Sequence, residues 1–333
     1  MINKNLNAHK NLAIFTIQGN DRLSRKYVTL EEAMDKNLIV LHETGNVGEL
    51  SIDNKSEHYV FLLSGDIVKG GRQDRTIAED VILKPGSENV PLKSFCVEQS
   101  RWHRRGHESD TEFSTSKKSL SNRHLKIAAR EKQSQHEVWA EVASYQESVS
   151  TVIDFDVRSK DSASSLQLTL DNDELQKTVK EYFDALHPAF DGKTDAVGFA
   201  FCINGKISTV ETFGSAELFG KLQDKLLESA ASEAVFSFKR DLNFEHPTAD
   251  NVEEFIIAAK KGEMNVKNTG IITFEKRYRT SNSILFKTYH SEAGTEEKVH
   301  SVAYSTDEID VSGNDRRDYN HRNFRYGGIN RNR

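Results

Sequence analysis

This chain has little cysteine, proline or tryptophan. Its 333 residues hold two cysteines, four prolines and two tryptophans. Two thiols as distant as Cys96 and Cys202 exclude a small fold framed by disulfides, and free thiols in a reducing cytoplasm are the simplest reading. With so little proline, no proline-rich linker marks a domain boundary. No apolar run approaches the length that crosses a bilayer, and the opening MINKNLNAHK has neither the apolar core nor the cleavage pattern of a secretory leader. The expectation is a soluble, cytoplasmic chain with no membrane partner. Positive charge is not in excess: the formal net charge is −6 and the pI about 6.1. General nucleic-acid binders depend on neutralising phosphates, so nucleic acid is not the expected partner. No internal repeat is visible, which sets aside solenoids and propellers.

Hydrophobic residues make up 36% and charged residues 29%, with both signs interspersed. That composition folds, with polar loops to spare. Thr29-Leu-Glu-Glu32 is a capping box and predicts a short helix over 30–36. Around it lie short apolar runs at 12–17, 37–42, 48–52, 58–63, 81–83 and 94–97. Glycine, asparagine, aspartate and serine break them up, as expected for an antiparallel sheet. The stretch 108–121 is rich in Ser, Thr and charge and reads as a mobile polar loop. From about Arg123 the pattern turns helical, through Leu125, Val138 and Val142. A second section begins near Thr151. Leu175, Val179, Tyr182, Phe183 and Leu186 form one helical stripe. Asn204-Gly205 between two apolar runs predicts a two-residue hairpin. Helices follow over 215–231 and 250–261, the second with Glu253 in its cap, and then a three-strand meander over 270–305. After Asp310 the tail is rich in Asn, Arg and Gly.

The fold class is therefore α+β. A β-rich antiparallel section spans 1–107, a polar loop and covering helix 108–150, and a second α+β section with helices on a sheet 151–309. A basic tail over 310–333 is expected to be disordered or to act as an electrostatic arm.

The densest chemistry lies between Gly65 and Trp102. Arg72, Gln73, Asp74 and Arg75 follow a Gly-Gly pair, and Glu98, Arg101 and Trp102 follow a second apolar run. Such groups beside strands either pair with one another or meet a ligand. The segment is not a phosphate loop of the Walker type, because Gly71-Arg72 stands where Lys-Ser/Thr is required. Gly70 and Gly71 can still take positive φ and present backbone N–H groups to an anion. Arg72, Arg75 and Arg101 offer forked donors for phosphate or carboxylate. Gln73 and Trp102 would orient a ligand, and Asp74 or Glu98 would carry any proton transfer. In the competing reading, Asp74 and Glu98 pair with the arginines and simply lock the strands. If 94–98 is a strand, Cys96 and Glu98 share one face. Cys96 then reads as a small core residue before it reads as a nucleophile. His103 and His107 have helical ligand spacing, but Gly106 spoils the helix and no third ligand is near, so neither a metal nor a cofactor is expected. Gln135 and Trp139 lie on one helix face and read as packing.

The chain resembles a known family at several of these points: Asn11 to Phe15, Thr29 to Ala33, Gly65-Asp66, the GGRQDR run from Gly70 to Arg75, and CVExxRW from Cys96 to Trp102. Gln135, Val138 and Trp139, Gly198 to Gly205, Phe213, and Glu217 to Phe219 extend the likeness to about residue 235. The family is that of the ARG and rhodanese-phosphatase-superfamily-associated proteins, ARG standing for ADP-ribosylglycohydrolase. The resemblance implies an association with ADP-ribose metabolism and supplies no catalytic residues. Two functions follow as expectations: binding or processing of an anionic nucleotide-derived metabolite such as ADP-ribose, or a non-catalytic module that binds a protein partner and uses the arginine–acid cluster structurally.

Overall fold

A computed structural model describes residues 1–46, 48–99, 113–119, 122–240 and 243–307. In chain order, strands β1 (Asn7–His9), β2 (Leu12–Gln18) and β3 (Tyr27–Thr29) lead into helix α1 (Leu30–Asp35). Then come β4 (Ile39–Glu43), β5 (Glu49–Asn54), β6 (Tyr59–Leu62), β7 (Asp66–Gly70), β8 (Arg75–Ile77), β9 (Val81–Leu83), β10 (Val90–Cys96) and β11 (Phe113–Ser119). A helical stretch follows, with α2 (Arg123–Ile127), a π-helical turn over 128–132, α3 (Gln135–Ile153), α4 (Leu166–Leu170) and α5 (Asp173–Leu186). The last described elements are β12 (Ala196–Ile203), β13 (Lys206–Phe213), α6 (Ala216–Phe236), α7 (Ala249–Ala259), β14 (Glu263–Asn268), β15 (Thr273–Arg279), β16 (Ser283–Glu292) and β17 (Thr295–Ser305).

These strands form three sheets among the described residues: β1-β2-β12-β13-β17-β16-β15-β14, β11-β7-β8-β10-β5-β4, and β3-β6-β9. The fold is α+β, as the sequence predicts, but the halves are interleaved. β2 pairs antiparallel with β12, so the first strands complete the sheet of the second section. The boundary drawn near residue 150 therefore does not separate two sheets. The N-terminal section is also not purely antiparallel, since β3 and β6 run parallel. Phe113–Ser119, expected as loop, is a strand paired with β7. Its residues alternate no apolar face, so no period-2 signal marks it.

Local signals otherwise hold. Thr29 and Glu32 form the reciprocal capping box of α1. Asn204 (φ 49°) and Gly205 (φ 74°) make the β12–β13 turn, as two positive φ values require. Helix α7 is capped by Thr248 with Asn251, two residues earlier than the expected cap of Asp250 with Glu253. The helix predicted from Arg123 is interrupted where Gln133 adopts φ 50°, which lets α3 start afresh on a Ser134 cap. The main core joins both halves: Leu12, Ile14, Tyr27 and Phe61 pack with Val138 and Tyr145 of α3 and with Leu222 and Leu226 of α6. Asn11 ties this junction. Its Nδ2 donates to Asn204 Oδ1 and to the Ala234 carbonyl, while Tyr182 Oη donates to its Oδ1.

Candidate functional site

β7 and β8 form a hairpin in which Val68 faces Arg75 and Ile67 faces Thr76. β10 then pairs on β8, setting Cys96 opposite Arg75. The Gly70–Asp74 turn thus sits at one end of the six-stranded sheet. Gly70 (φ 107°) and Gly71 (φ 56°) take the positive values anticipated for an anion-binding turn. A side chain at Gly71 would meet the Phe113 ring at 2.5 Å and the Glu43 carboxylate at 2.7 Å, so only glycine fits.

The turn already holds carboxylates, both the chain's own. The Gly70 N–H donates to Asp74 Oδ1 at 3.1 Å, and the Arg72 N–H to Glu43 Oε1 at 3.1 Å. Arg75 Nη2 donates to the other Glu43 oxygen at 3.0 Å, and Arg75 is 2% exposed. Glu43 was not anticipated. It lies on β4, far from the motif in sequence, and no local pattern points to it. Arg72 differs from the rest. Its side chain is exposed and has no hydrogen bond or ion pair among the described residues.

Beneath the turn the other motif residues converge. The Cys96 thiol donates to Gln73 Oε1, and Gln73 Nε2 donates to the Glu98 carbonyl at 3.3 Å. Gln135, the first residue of α3, clasps Cys96 from the other side: it accepts the Cys96 N–H at 2.8 Å and donates to the Cys96 carbonyl at 2.7 Å. The Val97 N–H donates to the Asp74 carbonyl, and the Leu166 N–H to the Val97 carbonyl. Gln73, Asp74, Cys96 and Glu98 are all fully buried. The structure therefore brings Gln73, Asp74, Arg75, Cys96 and Glu98 together, and adds Glu43 and Gln135. It sets Arg72 at the rim. Arg101, Trp102, His103 and His107 lie outside the described residues. Among those described, no three His, Cys, Asp or Glu side chains are grouped to hold a metal ion.

A second polar cluster escaped the sequence reading. The Asp80 carboxylate receives Arg130 Nη2 at 2.8 Å, His300 Nδ1 at 2.7 Å, the Ser64 N–H at 2.8 Å and the Thr288 hydroxyl. Arg130, from the π-helical turn, also donates to Glu275 at 2.7 Å. His300 Nε2 meets Glu211 Oε1 at 3.0 Å. Burial alone would raise the Asp80 carboxyl, but Arg130 and His300 outweigh it and hold it well below the usual range. Burial likewise works against a charged His300. Asp80 and Glu211, one on each ring nitrogen, reverse that and raise it above its ordinary value. Glu275 is raised by burial, with Arg130 opposing. A sequence signal did exist: Glu211 and His300 are charged or polar residues inside apolar strand segments.

None of the described helices is long and apolar enough to cross a membrane. The family model described as the ARG and Rhodanese-Phosphatase-superfamily-associated Protein domain matches residues 3–304. No curated protein matches the chain. No solved structure matches it either.

Proposed function

The chain belongs to that family, and on this premise we propose that it binds an anionic, phosphate-bearing metabolite of the ADP-ribose class at the rim of the Gly70–Arg75 turn. One observation carries this reading: Arg72 is an exposed guanidinium without a partner among the described residues, mounted on a turn whose backbone is held by Asp74 and by Glu43, itself paired with Arg75. A cation held on a rigid mount recognises phosphate at little ordering cost. Arg101 and Trp102, a short way along the chain from the Cys96–Glu98 segment, are proposed as the second charge and the stacking surface for a base. Gln73 and Arg75 support the site through Cys96, Glu98 and Glu43 rather than by touching ligand. Asp74 and Glu98, the buried acids beside the turn, are the proposed groups for any proton transfer. The ADP-ribose class itself rests on the family's association, a weaker warrant than geometry.

The burial of Gln73, Asp74, Arg75 and Glu98 favours a second reading, in which the whole cluster is structural and the chain is a non-catalytic module for a protein partner. Thermal-shift titration with ADP-ribose, NAD, related nucleotides and inorganic phosphate separates the two. The first reading expects saturable stabilisation that Arg72→Ala abolishes without lowering the melting temperature of the free protein. No shift with any anion, or a shift unchanged in Arg72→Ala, leaves the second reading standing.

A further inference from the structure

Strand β14 closes the eight-stranded sheet, and no described strand pairs with its outer edge. All six of its residues, Glu263–Asn268, are exposed, including Met264 at 52% and Val266 at 51%. An exposed edge bearing apolar side chains is a template for another strand.

The register shows which strand fits. The Thr269 N–H donates to the Thr273 carbonyl, and the same antiparallel register pairs Lys267 with Glu275, Asn265 with Arg277 and Glu263 with Arg279. Hydrogen-bonding direction alternates along a strand. Glu263, Asn265 and Lys267 therefore direct their backbone groups toward β15, while Met264, Val266 and Asn268 direct theirs outward. A twofold pairing on the outer edge must match outward residues with outward residues, which puts the axis on a residue, and only an axis at Asn265 or at Val266 keeps most of the strand paired. With the axis at Asn265, Met264 faces Val266 of the second copy, and Glu263 faces Lys267, twice over. With the axis at Val266, Met264 faces a polar asparagine and no charges pair. The sequence EMNVKN is thus self-complementary in charge and in apolarity about Asn265. Lys267 already bonds Glu79 but is 45% exposed, so its remaining N–H groups are open to a second carboxylate.

We infer that two copies of this chain pair edge to edge through β14, antiparallel about a twofold axis at Asn265. A six-residue contact belongs to the small, concentration-dependent class of interface. Sedimentation velocity of the full chain from about 1 to about 300 µM is expected to show a reversible monomer–dimer equilibrium. Val266→Pro removes an outward N–H and no bond to β15, and is expected to leave only monomer. Glu263→Lys, a change at an exposed side chain, is expected to weaken the dimer about tenfold, because two attractive pairs become repulsive. Asn265→Cys is expected to form a covalent dimer on oxidation, since residues facing across such an axis have Cα atoms about 4.5 Å apart. The native Cys96 and Cys202 are buried and do not compete. A native chain that stays monomeric throughout, or a dimer unchanged by both Val266→Pro and Glu263→Lys, overturns the proposal. Cross-linking by Val266→Cys in preference to Asn265→Cys overturns the register.

Discussion

The Glu43–Arg75 pair and the Asp80–Arg130–His300 cluster are both arginine–carboxylate assemblies, and they differ in what they leave over. In the second, Asp80 and Glu275 meet Arg130, Asp80 and Glu211 meet His300, and every one of these groups is buried. It joins the β8–β9 connection to the large sheet and offers nothing to solvent. The first sits at the end of a hairpin, engages the same kinds of group, and still presents one guanidinium, Arg72, outward. Buried charge networks define which surfaces dock. A charged side chain left unpaired on a rigid mount is where recognition can occur.

The largest expected effect is at the closed cluster. Asp80→Ala removes the carboxylate that joins buried Arg130 to buried His300 and is expected to cost about 3–5 kcal/mol in chemical denaturation. A loss under about 1 kcal/mol would mean that the cluster is not a keystone. Its pH signature has a defined sign. His300 titrates above its ordinary 6.5, so its contribution is complete in acid of that value and is lost as pH rises through the raised one. Melting curves of His300→Gln are therefore expected to lie below those of the native protein in mild acid and to converge with them in alkali. Asp80 acts in the opposite sense, giving stability present above the ordinary carboxylate value of 3.8 and lost as pH falls.

At the open cluster the effects are smaller. Arg75→Ala leaves a mostly buried Glu43 without its guanidinium, and about 2 kcal/mol of destabilisation is expected by the same denaturation assay. Gly71→Ala forces a side chain onto Phe113 at a positive φ and is expected to cost about 1–2 kcal/mol. If Gly71→Ala proves neutral, the turn is not the fixed mount described above.

The same contrast explains what could be read in advance. The Thr29 capping box, the Asn204-Gly205 turn and the apolar stripe of α5 are local, and each predicts its element. That Gln73 to Arg75 and Cys96 to Glu98 lie close together was legible, because both runs lie beside short strands that could pair. Their partners were not legible. Glu43 reaches Arg75 from β4, and Gln135 reaches Cys96 from the start of α3; nothing in the local pattern of either residue encodes that meeting. The joining of β2 to β12 across the length of the chain is non-local in the same way. β11 reads FSTSKKS and shows no apolar alternation in sequence, while β14 alternates Met264 and Val266 with polar residues over too short a run to stand out, all six being exposed.

The central claim is that stability and recognition are divided between neighbours in one turn, Arg75 framing the fold and Arg72 meeting the ligand. Calorimetric titration of ADP-ribose into the native protein, Arg72→Ala and Arg75→Ala, with a melting curve for each, tests it most directly. The account predicts that Arg72→Ala keeps the native melting temperature, within the ±0.5 kcal/mol or so of a surface substitution, and loses binding, while Arg75→Ala melts earlier. Binding retained in Arg72→Ala, or a free protein destabilised as much by Arg72→Ala as by Arg75→Ala, would contradict it.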